Sequence, residues 1–205
     1  NGHRVYYWGL RNSFAAAKQI LHLLYTGRLG SHGGTNIDAI SGEINYKNGK
    51  YFRDKVKDWF KNQPYFNTIE NEVSIKPNGY IKADKDYGDI DVCSIDTDNK
   101  IIYSIECKAT EQAKNIHEMK NELDKYLERT EGSGLLIKHI QRDTFLRKNL
   151  SMLSVIISNP EEYSLVSLVV TSEDLPLTYI QDQLPLPFIS FPKLRRDGTS
   201  ILLPN

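Results

Sequence analysis

Cysteine is scarce in this sequence of 205 residues, and neither sign of charge is in excess. The 2 cysteines, Cys93 and Cys107, are too few for a disulfide framework, and both lie in runs that predict buried strands. The 26 basic and 26 acidic residues balance, which excludes a strongly basic nucleic-acid module, so any nucleic-acid surface must be local. This cysteine usage fits a reducing compartment, and we expect a cytoplasmic protein.

Long apolar runs and leader sequences are missing as well. No run approaches the roughly 18 apolar residues that a membrane-spanning helix needs, so we expect no membrane partner. The first residues also lack the charged, apolar and small-residue pattern of a secretory signal. The chain begins with Asn1 and not with methionine, and we therefore expect it to be part of a longer protein.

Two common ligand-binding loops are absent. The Gly33-Gly34 pair is not followed by Lys-Ser or Lys-Thr at the spacing of a phosphate-binding loop. The polar cluster at 96–99, Asp-Thr-Asp-Asn, lacks the glycine and the closing glutamate of a calcium loop. We interpret that cluster as a tight turn.

Apolar residues alternate in two runs on either side of this turn, which predicts two antiparallel strands joined as a hairpin within residues 87–110. Successive side chains of a strand point to opposite faces. Asp89 and Asp91 therefore share one face of the first strand, and Glu106 and Lys108 share one face of the second. Carboxylates and an ammonium group can converge there, which indicates a hard-cation site with a lysine beside it.

Two short motifs in this hairpin resemble those of the PD-(D/E)XK nuclease superfamily, the restriction-endonuclease-like fold. They are Gly-Asp-Ile-Asp at 88–91 and Ile-Glu-Cys-Lys at 105–108, the latter followed by Ala109 and Thr110. The resemblance implies a metal-dependent nuclease that hydrolyses phosphodiester bonds, with DNA favoured over RNA. Relatives often serve restriction, repair or defence against phage, so by analogy we expect a role in bacterial defence.

The same resemblance implies roles for individual residues. Asp91 and Glu106 would coordinate Mg²⁺, for which Mn²⁺ can substitute, with the main-chain carbonyl of Cys107 as a further ligand. Lys108 would orient or activate the attacking water. Asp89 would support the site from one layer further out, or act as an alternate ligand.

Two other interpretations stay open. Asp91 could start an ordinary strand, with Glu106 and Lys108 forming a solvated pair on an edge strand. Alternatively, the fold has kept the motif and lost cleavage, and the chain is a nucleic-acid-binding or assembly module of a larger protein. The balanced charge and the presence of Arg53 favour the module, whereas the intact Asp-Glu-Lys set disfavours it.

Helices and a strand are predicted before the hairpin. Residues 13–25 predict a well-buried helix, and the glycine-rich residues 30–50 predict a connection without secondary structure. Residues 51–62 predict an amphipathic helix. Alternation over 70–76 predicts a strand that leads into the hairpin.

The helix at 51–62 lacks one expected residue. In the superfamily a helix at this place often carries a glutamate that contributes a carboxylate to the metal site. Here Arg53 and Asp54 stand at that place. Asp54 or the earlier Glu43 could substitute, and the sequence leaves the identity of a third carboxylate open.

A helix, a basic stretch and a buried strand are predicted after the hairpin. Residues 111–129 predict a second core helix, and the apolar, β-branched residues 165–171 predict a strand beside the hairpin. Residues 135–149 form the most basic stretch. If this stretch is helical, three of its residues lie one turn apart and could bind phosphates near the metal site: Lys138, His139 and Arg142.

Together these patterns predict one α/β domain with a mixed four- or five-stranded sheet flanked by helices. It would be restriction-endonuclease-like, with a helical N-terminal extension. We expect the extension and a linker at 1–48, the nuclease core at 49–175 and an extended proline-rich tail at 176–205. Cleavage of both strands of a duplex would need two such sites, so we expect a homo-oligomer, with the aromatic residues 5–8 and the tail as contact surfaces.

Overall fold

A computed structural model of the protein describes residues 9–26, 36–110, 113, 115–127, 136–180 and 184–202. The α-helices of these ranges are α1 (Leu10–Tyr25), α2 (Asn36–Lys61), α3 (Ile116–Leu127), α4 (Ile137–Lys148) and α5 (Phe191–Asp197). The strands are β1 (Phe66–Thr68), β2 (Val73–Lys76), β3 (Ile81–Lys82), β4 (Asp89–Ile90), β5 (Val92–Asp96), β6 (Ile101–Lys108), β7 (Ser164–Thr171) and β8 (Phe188–Ser190).

The main sheet has five strands in the order β1-β5-β6-β7-β8. β5 and β6 pair antiparallel, whereas β6 and β7 pair parallel with Lys108 opposite Thr171. β1 adds an antiparallel strand at one edge, and β8 adds a parallel strand at the other. The predicted mixed sheet flanked by helices is therefore confirmed, and α3 and α4 lie in the connection between the parallel strands β6 and β7.

The predicted hairpin is confirmed as β5 and β6. Its turn is closed by Asp96, whose Oδ1 accepts the main-chain N–H groups of Asp98 and Asn99, each at 3.0 Å. Every residue of β5 and the first five residues of β6 are buried, because β6 lies between two neighbouring strands and both faces are covered. On one face Tyr103 packs against Phe60 of α2. The interpretation of β6 as a solvated edge strand is therefore wrong.

The strand predicted to precede the turn is divided at Asp91. The two residues before it, β4, pair with β2 in a separate three-stranded sheet of order β3-β2-β4. The residues after it form β5 of the main sheet. Asp91 therefore lies where the chain passes from one sheet to the other, and its side chain stands at a strand end.

The helices before the sheet differ from the predictions. No residue of α1 is buried, so the prediction of a well-buried helix is wrong. Periodicity identifies an apolar stripe, but it does not specify the surface that covers it. α2 begins at Asn36, so the connection expected over 30–50 is wrong from that residue onward. Gly42 and Gly49 each cost roughly 1 kcal/mol in a helix relative to alanine, but neither ends it.

The C-terminal segment is folded where it was expected to be an extended tail. β8 pairs with β7, and α5 follows at once, with Ser190 accepting a hydrogen bond from the N–H of Lys193 as the N-terminal cap. Leu194 and Leu202 are buried in the apolar cluster that contains Phe60. The Ser-Phe-Pro sequence at 190–192 is a helix-start signal, because the serine caps free N–H groups and proline fits the first turn.

The chain divides into two compact units, residues 1–50 and 51–205, and the main sheet belongs to the second. The boundaries predicted for an extension, a core and a tail stay predictions. The aromatic cluster at 5–8 lies outside the described residues.

Substituting Leu194 with alanine is expected to lower the free energy of unfolding by about 2–3 kcal/mol, because the change removes buried methyl groups and leaves a cavity. Urea denaturation measures this loss. Lys193→Ala on the exposed side of the same helix is the control, and it should shift stability by less than about 0.5 kcal/mol. Equal effects of the two changes would contradict a packed role for α5.

Candidate active site at the end of the central strand

The central strand β6 becomes partly accessible only at its last three residues. Asp91 Oδ2 accepts the main-chain N–H of Cys107 at 2.7 Å, which holds this carboxylate against the strand end. Lys108 Nζ donates to Glu106 Oε1 at 2.7 Å. The structure thus brings Asp91, Glu106 and Lys108 to one place, whereas the side chain of Asp89 is exposed on β4.

Two residues of α4 complete this cluster. Arg142 Nη2 donates to Glu106 Oε2 at 2.6 Å and to His139 Nδ1 at 2.7 Å. Arg142 is 2% exposed and His139 is 1% exposed. The basic stretch suggested that these two residues bind phosphate, but in the structure they are buried and contact Glu106. Lys138 is exposed and pairs with Asp86. The sequence contains a signal for this burial, because the i, i+3, i+7 spacing of His139, Arg142 and Leu146 places them on one helix face.

The protonation of His139 follows from its contact with Arg142. A guanidinium group only donates hydrogen bonds, so Nδ1 of the imidazole must accept. The neutral ring then carries its proton on Nε2, which is buried without a hydrogen-bond partner among the described residues. Burial and the charge of Arg142 lower the pKa of His139 to about 4, which keeps the ring neutral at physiological pH.

The backbone beside the cluster requires glycine. Gly88 has a φ of 82°, a left-handed conformation that side chains rarely adopt. A Cβ atom at this position would also lie 3.3 Å from Nη1 of Arg142. The guanidinium therefore passes close to the main chain that leads to Asp91, and its Nη1 donates a long hydrogen bond of 3.5 Å to the carbonyl of Tyr87.

The two carboxylates of the cluster differ in charge environment. Burial and the negative charge of Glu106 raise the pKa of Asp91 to about 6, against the opposing hydrogen bond from Cys107. Burial also disfavours ionisation of Glu106, but the charges of Lys108 and Arg142 outweigh it and hold the pKa of Glu106 below its ordinary value. The deprotonated Asp91 therefore has unfavourable electrostatics that a further cation would relieve.

The donor set fits a hard cation with few protein ligands. Two carboxylates and the carbonyl of Cys107 are oxygen donors, the type that Mg²⁺ prefers, and Mg²⁺ commonly keeps several of its own waters. Within the described ranges no group of three or more His, Cys, Asp or Glu side chains could hold a metal ion. Any ion bound here would therefore take only part of its ligands from the protein.

The candidates for a third carboxylate have other partners. Asp54 lies 3.6 Å from Lys57 and 3.7 Å from Arg53. Glu43 pairs with Lys47 at 2.7 Å in the other unit of the chain. Among the residues that the structure describes, neither joins Asp91 and Glu106 in a metal-binding group.

Acidification is expected to destabilise the wild-type protein more than a His139→Gln variant, which keeps an acceptor for Arg142. The pKa of His139 is about 4 when folded and 6.5 ordinarily, so between these values the unfolded chain binds a proton that the folded chain does not. The stability from neutral His139 is complete above pH 6.5 and is lost as the pH falls toward 4.

Urea denaturation of both proteins at pH 7 and pH 4.5 measures this effect. We expect the wild type to lose about 2 kcal/mol more than the variant over this interval. The raised pKa of Asp91 acts in the opposite direction, but it is common to both proteins. An equal loss of unfolding free energy in the wild type and the variant between the two pH values would contradict a buried neutral His139.

The fold and the cluster define a mixed α/β domain that holds two carboxylates, a lysine and an arginine at the end of its central strand. A family model described as "Anti-phage protein Upx-like" matches residues 9–184, most of the chain. The protein therefore belongs to the Upx-like family of anti-phage proteins, in agreement with the predicted role in phage defence. No curated protein and no solved structure matches the chain.

The match extends over β5, β6 and α4, and so over every residue of the cluster. None of the helices in the described part of the chain is long and apolar enough to cross a membrane.

Proposed function

We propose that this protein acts in phage defence as a metal-dependent nuclease of the PD-(D/E)XK type, which hydrolyses phosphodiester bonds in nucleic acid, with DNA favoured. The observation that carries the proposal is the convergence of Asp91, Glu106 and Lys108 at the end of β6, through contacts of 2.7 Å. The partly accessible end of an otherwise buried strand gives a phosphate a place to approach.

Each group of the cluster has a defined task in this reaction. Asp91, Glu106 and the carbonyl of Cys107 would hold Mg²⁺. A bound Mg²⁺ supplies charge stabilisation for the phosphoryl oxygens and lowers the pKa of water. Lys108 places a positive charge beside Glu106 and orients the attacking water toward the phosphate. Arg142 occupies the second oxygen of Glu106 and fixes the orientation of that carboxylate.

A second candidate function is a nucleic-acid-binding or assembly module without catalysis. It is favoured by the 2.6 Å contact of Arg142 with Glu106, because an arginine already neutralises this carboxylate without a metal ion. Arg53, at the place where members of the PD-(D/E)XK superfamily often carry a glutamate, favours it as well. Metal binding separates the two candidates, since the module should show no saturable Mn²⁺ binding that depends on Glu106.

The decisive experiment incubates the purified protein with plasmid, single-stranded DNA and RNA, each in Mg²⁺, Mn²⁺ and EDTA. A Glu106→Ala/Lys108→Ala double variant is tested in parallel. We expect cleavage in either metal, none in EDTA and none by the variant, and the preferred substrate decides between DNA and RNA. Absence of cleavage together with absence of Glu106-dependent Mn²⁺ binding would overturn the nuclease in favour of the module.

The expected homo-oligomer is a separate prediction. Light scattering after gel filtration, with and without nucleic acid, measures the mass of the particle. A monomer under both conditions would contradict paired sites acting on the two strands of a duplex.

A further inference from the structure

A groove of about 820 Å³ lies between residues 82–87 and one flank of α4. Its floor is apolar: the rings of Tyr87 and Phe145 stack at 4.4 Å, and Ile140 and Met152 extend the same surface. The opposite flank of α4 carries His139 and Arg142 to the carboxylate cluster. One helix therefore separates the groove from the candidate active site.

The two regions also share a stretch of main chain. The carbonyl of Tyr87 accepts the long hydrogen bond from Arg142, while the ring of Tyr87 lines the groove. From Tyr87 the chain runs through Gly88 and β4 directly to Asp91. A polymer bound at the carboxylates would reach the groove by following the main chain from Asp91 back to Tyr87.

The rim of the groove is positively charged. Three lysines line it, Lys82, Lys85 and Lys148, against a single acidic residue, Asp84. The ammonium nitrogen of Lys85 lies 5.0 Å from the centroid of the Tyr87 ring. Lys82 and Lys148 are exposed, and neither forms an ion pair with another residue in the part of the chain that the structure describes. Unpaired cations around an apolar floor complement a ligand that combines flat apolar faces with anionic groups.

We propose that this groove binds a single-stranded segment of the nucleic-acid substrate, with a base on the apolar floor and flanking phosphates on Lys82 and Lys148. This inference rests on the proposed nuclease function and adds the class of substrate. Bases in a duplex have their faces stacked on their neighbours, so only an unpaired base can lay a face on the floor. The lysines contact the backbone and therefore select no sequence.

Fluorescence anisotropy of labelled oligonucleotides in EDTA tests binding without cleavage. The Lys82→Gln/Lys148→Gln variant should bind a single strand about tenfold more weakly and lower the slope of log K against log salt by about 1.4, for two lost phosphate contacts. Gln141→Glu, which adds a negative charge at an exposed lining position, should weaken binding about threefold. All three changes lie at exposed positions, so folding should be preserved.

The matched control is Lys55→Gln/Lys193→Gln, which removes the same charge from α2 and α5, and it should change affinity less than twofold. A single strand with abasic sites should bind the wild type roughly fivefold more weakly, because it keeps the phosphates and loses the bases. A duplex of the same sequence should also bind more weakly than the single strand.

Equal losses in the two double variants, unchanged affinity for the abasic strand, tighter binding of duplex or no binding at all would each overturn the inference. Because the assay contains no metal ion, its result is independent of catalysis. Absence of both cleavage and Glu106-dependent Mn²⁺ binding, together with groove-dependent binding of the single strand, would reject the nuclease and keep the groove. Cleavage with unchanged binding by the groove variants would do the reverse.

Discussion

Lys108→Ala is expected to reduce metal-dependent cleavage by about 10²- to 10³-fold, the loss typical when one preorganised electrostatic group is removed from a transition state. Lys108 Nζ donates to Glu106 Oε1 at 2.7 Å, and in the proposed reaction it is the group that orients the attacking water. Lys108 is 25% exposed and Glu106 is 15% exposed, so the change also removes one partner from a poorly solvated carboxylate, and we expect the free energy of unfolding to fall by about 1–3 kcal/mol. Rates with the preferred substrate in saturating Mg²⁺, together with urea denaturation, measure both quantities.

Asp91→Ala is expected to abolish cleavage in the same assay, because it removes one of the two carboxylates. Lys100→Ala is the control: Lys100 lies in the turn at the other end of the hairpin, is 51% exposed and pairs with Glu162 at 3.7 Å. Full cleavage by either site variant would reject the assignment, and loss of cleavage in the control would point to a general effect on folding.

Lys108→Arg separates two roles of the lysine. An arginine keeps a fixed positive charge but does not release its proton, since the pKa of a guanidinium group lies far above physiological pH. If Lys108 only aligns water and phosphate, the arginine variant should keep substantial activity with an unchanged pH profile. If Lys108 transfers a proton, the arginine variant should be as inactive as the alanine variant.

Arg142→Met is expected to lower the free energy of unfolding by about 3 kcal/mol in EDTA. Arg142 is 2% exposed and its partner Glu106 is 15% exposed, so the substitution leaves a carboxylate with little access to water and one partner fewer. Removing one member of a buried ion pair commonly costs roughly 3–5 kcal/mol for this reason. Urea denaturation at pH 7 measures the loss.

A double-mutant cycle assigns this loss to the pair. With Glu106→Gln in the background, Arg142→Met should cost about 2 kcal/mol less, because no unpaired charge is left behind. Arg147→Met is the matched control on the same helix: its pair with Asp143 at 2.8 Å is 50% exposed on the arginine side, and surface pairs contribute less than about 1 kcal/mol. Additive effects of Arg142→Met and Glu106→Gln would contradict a coupled pair.

The Arg142→Met variant also bears on function, because Arg142 can have either of two effects on Glu106. It can fix the orientation of the carboxylate for a metal ion, or it can neutralise the carboxylate in place of a metal ion. If Arg142→Met strengthens Mn²⁺ binding, the arginine competes with the ion for Glu106. If it weakens binding, the arginine holds Glu106 in the geometry that the ion requires. Isothermal titration with Mn²⁺ measures this difference without any cleavage assay.

The hairpin and its Asp-Glu-Lys set were predictable because each depends on short-range patterns. Alternation with period two gives the strands, and a polar cluster between them gives the turn closed by Asp96. The same alternation places Glu106 and Lys108 on one face of β6. The basic stretch at 135–149, for which the sequence left a helix conditional, forms α4, but its predicted phosphate contacts did not anticipate that His139 and Arg142 lie on the buried face.

Long-range contacts were not predictable in the same way. No local pattern predicts that the strand is divided at Asp91. The division arises because β4 pairs with β2, a strand that precedes the turn of Pro77 and Gly79, and so belongs to a second sheet. Nor does composition reveal that the proline-rich end supplies β8, whose stability comes from β7 and from the core beneath it.

Periodicity and turn chemistry act between neighbouring residues, and they specified the hairpin, β2 and β7, the parts of α1 to α4 with an apolar stripe, and which acidic and basic groups share a strand face. The partner of each charge was settled by folding, because a buried carboxylate takes the nearest donor in space whatever its distance along the chain. Glu106 thus acquired Arg142 from a helix more than thirty positions away, and that contact sets the electrostatics on which the proposed chemistry depends.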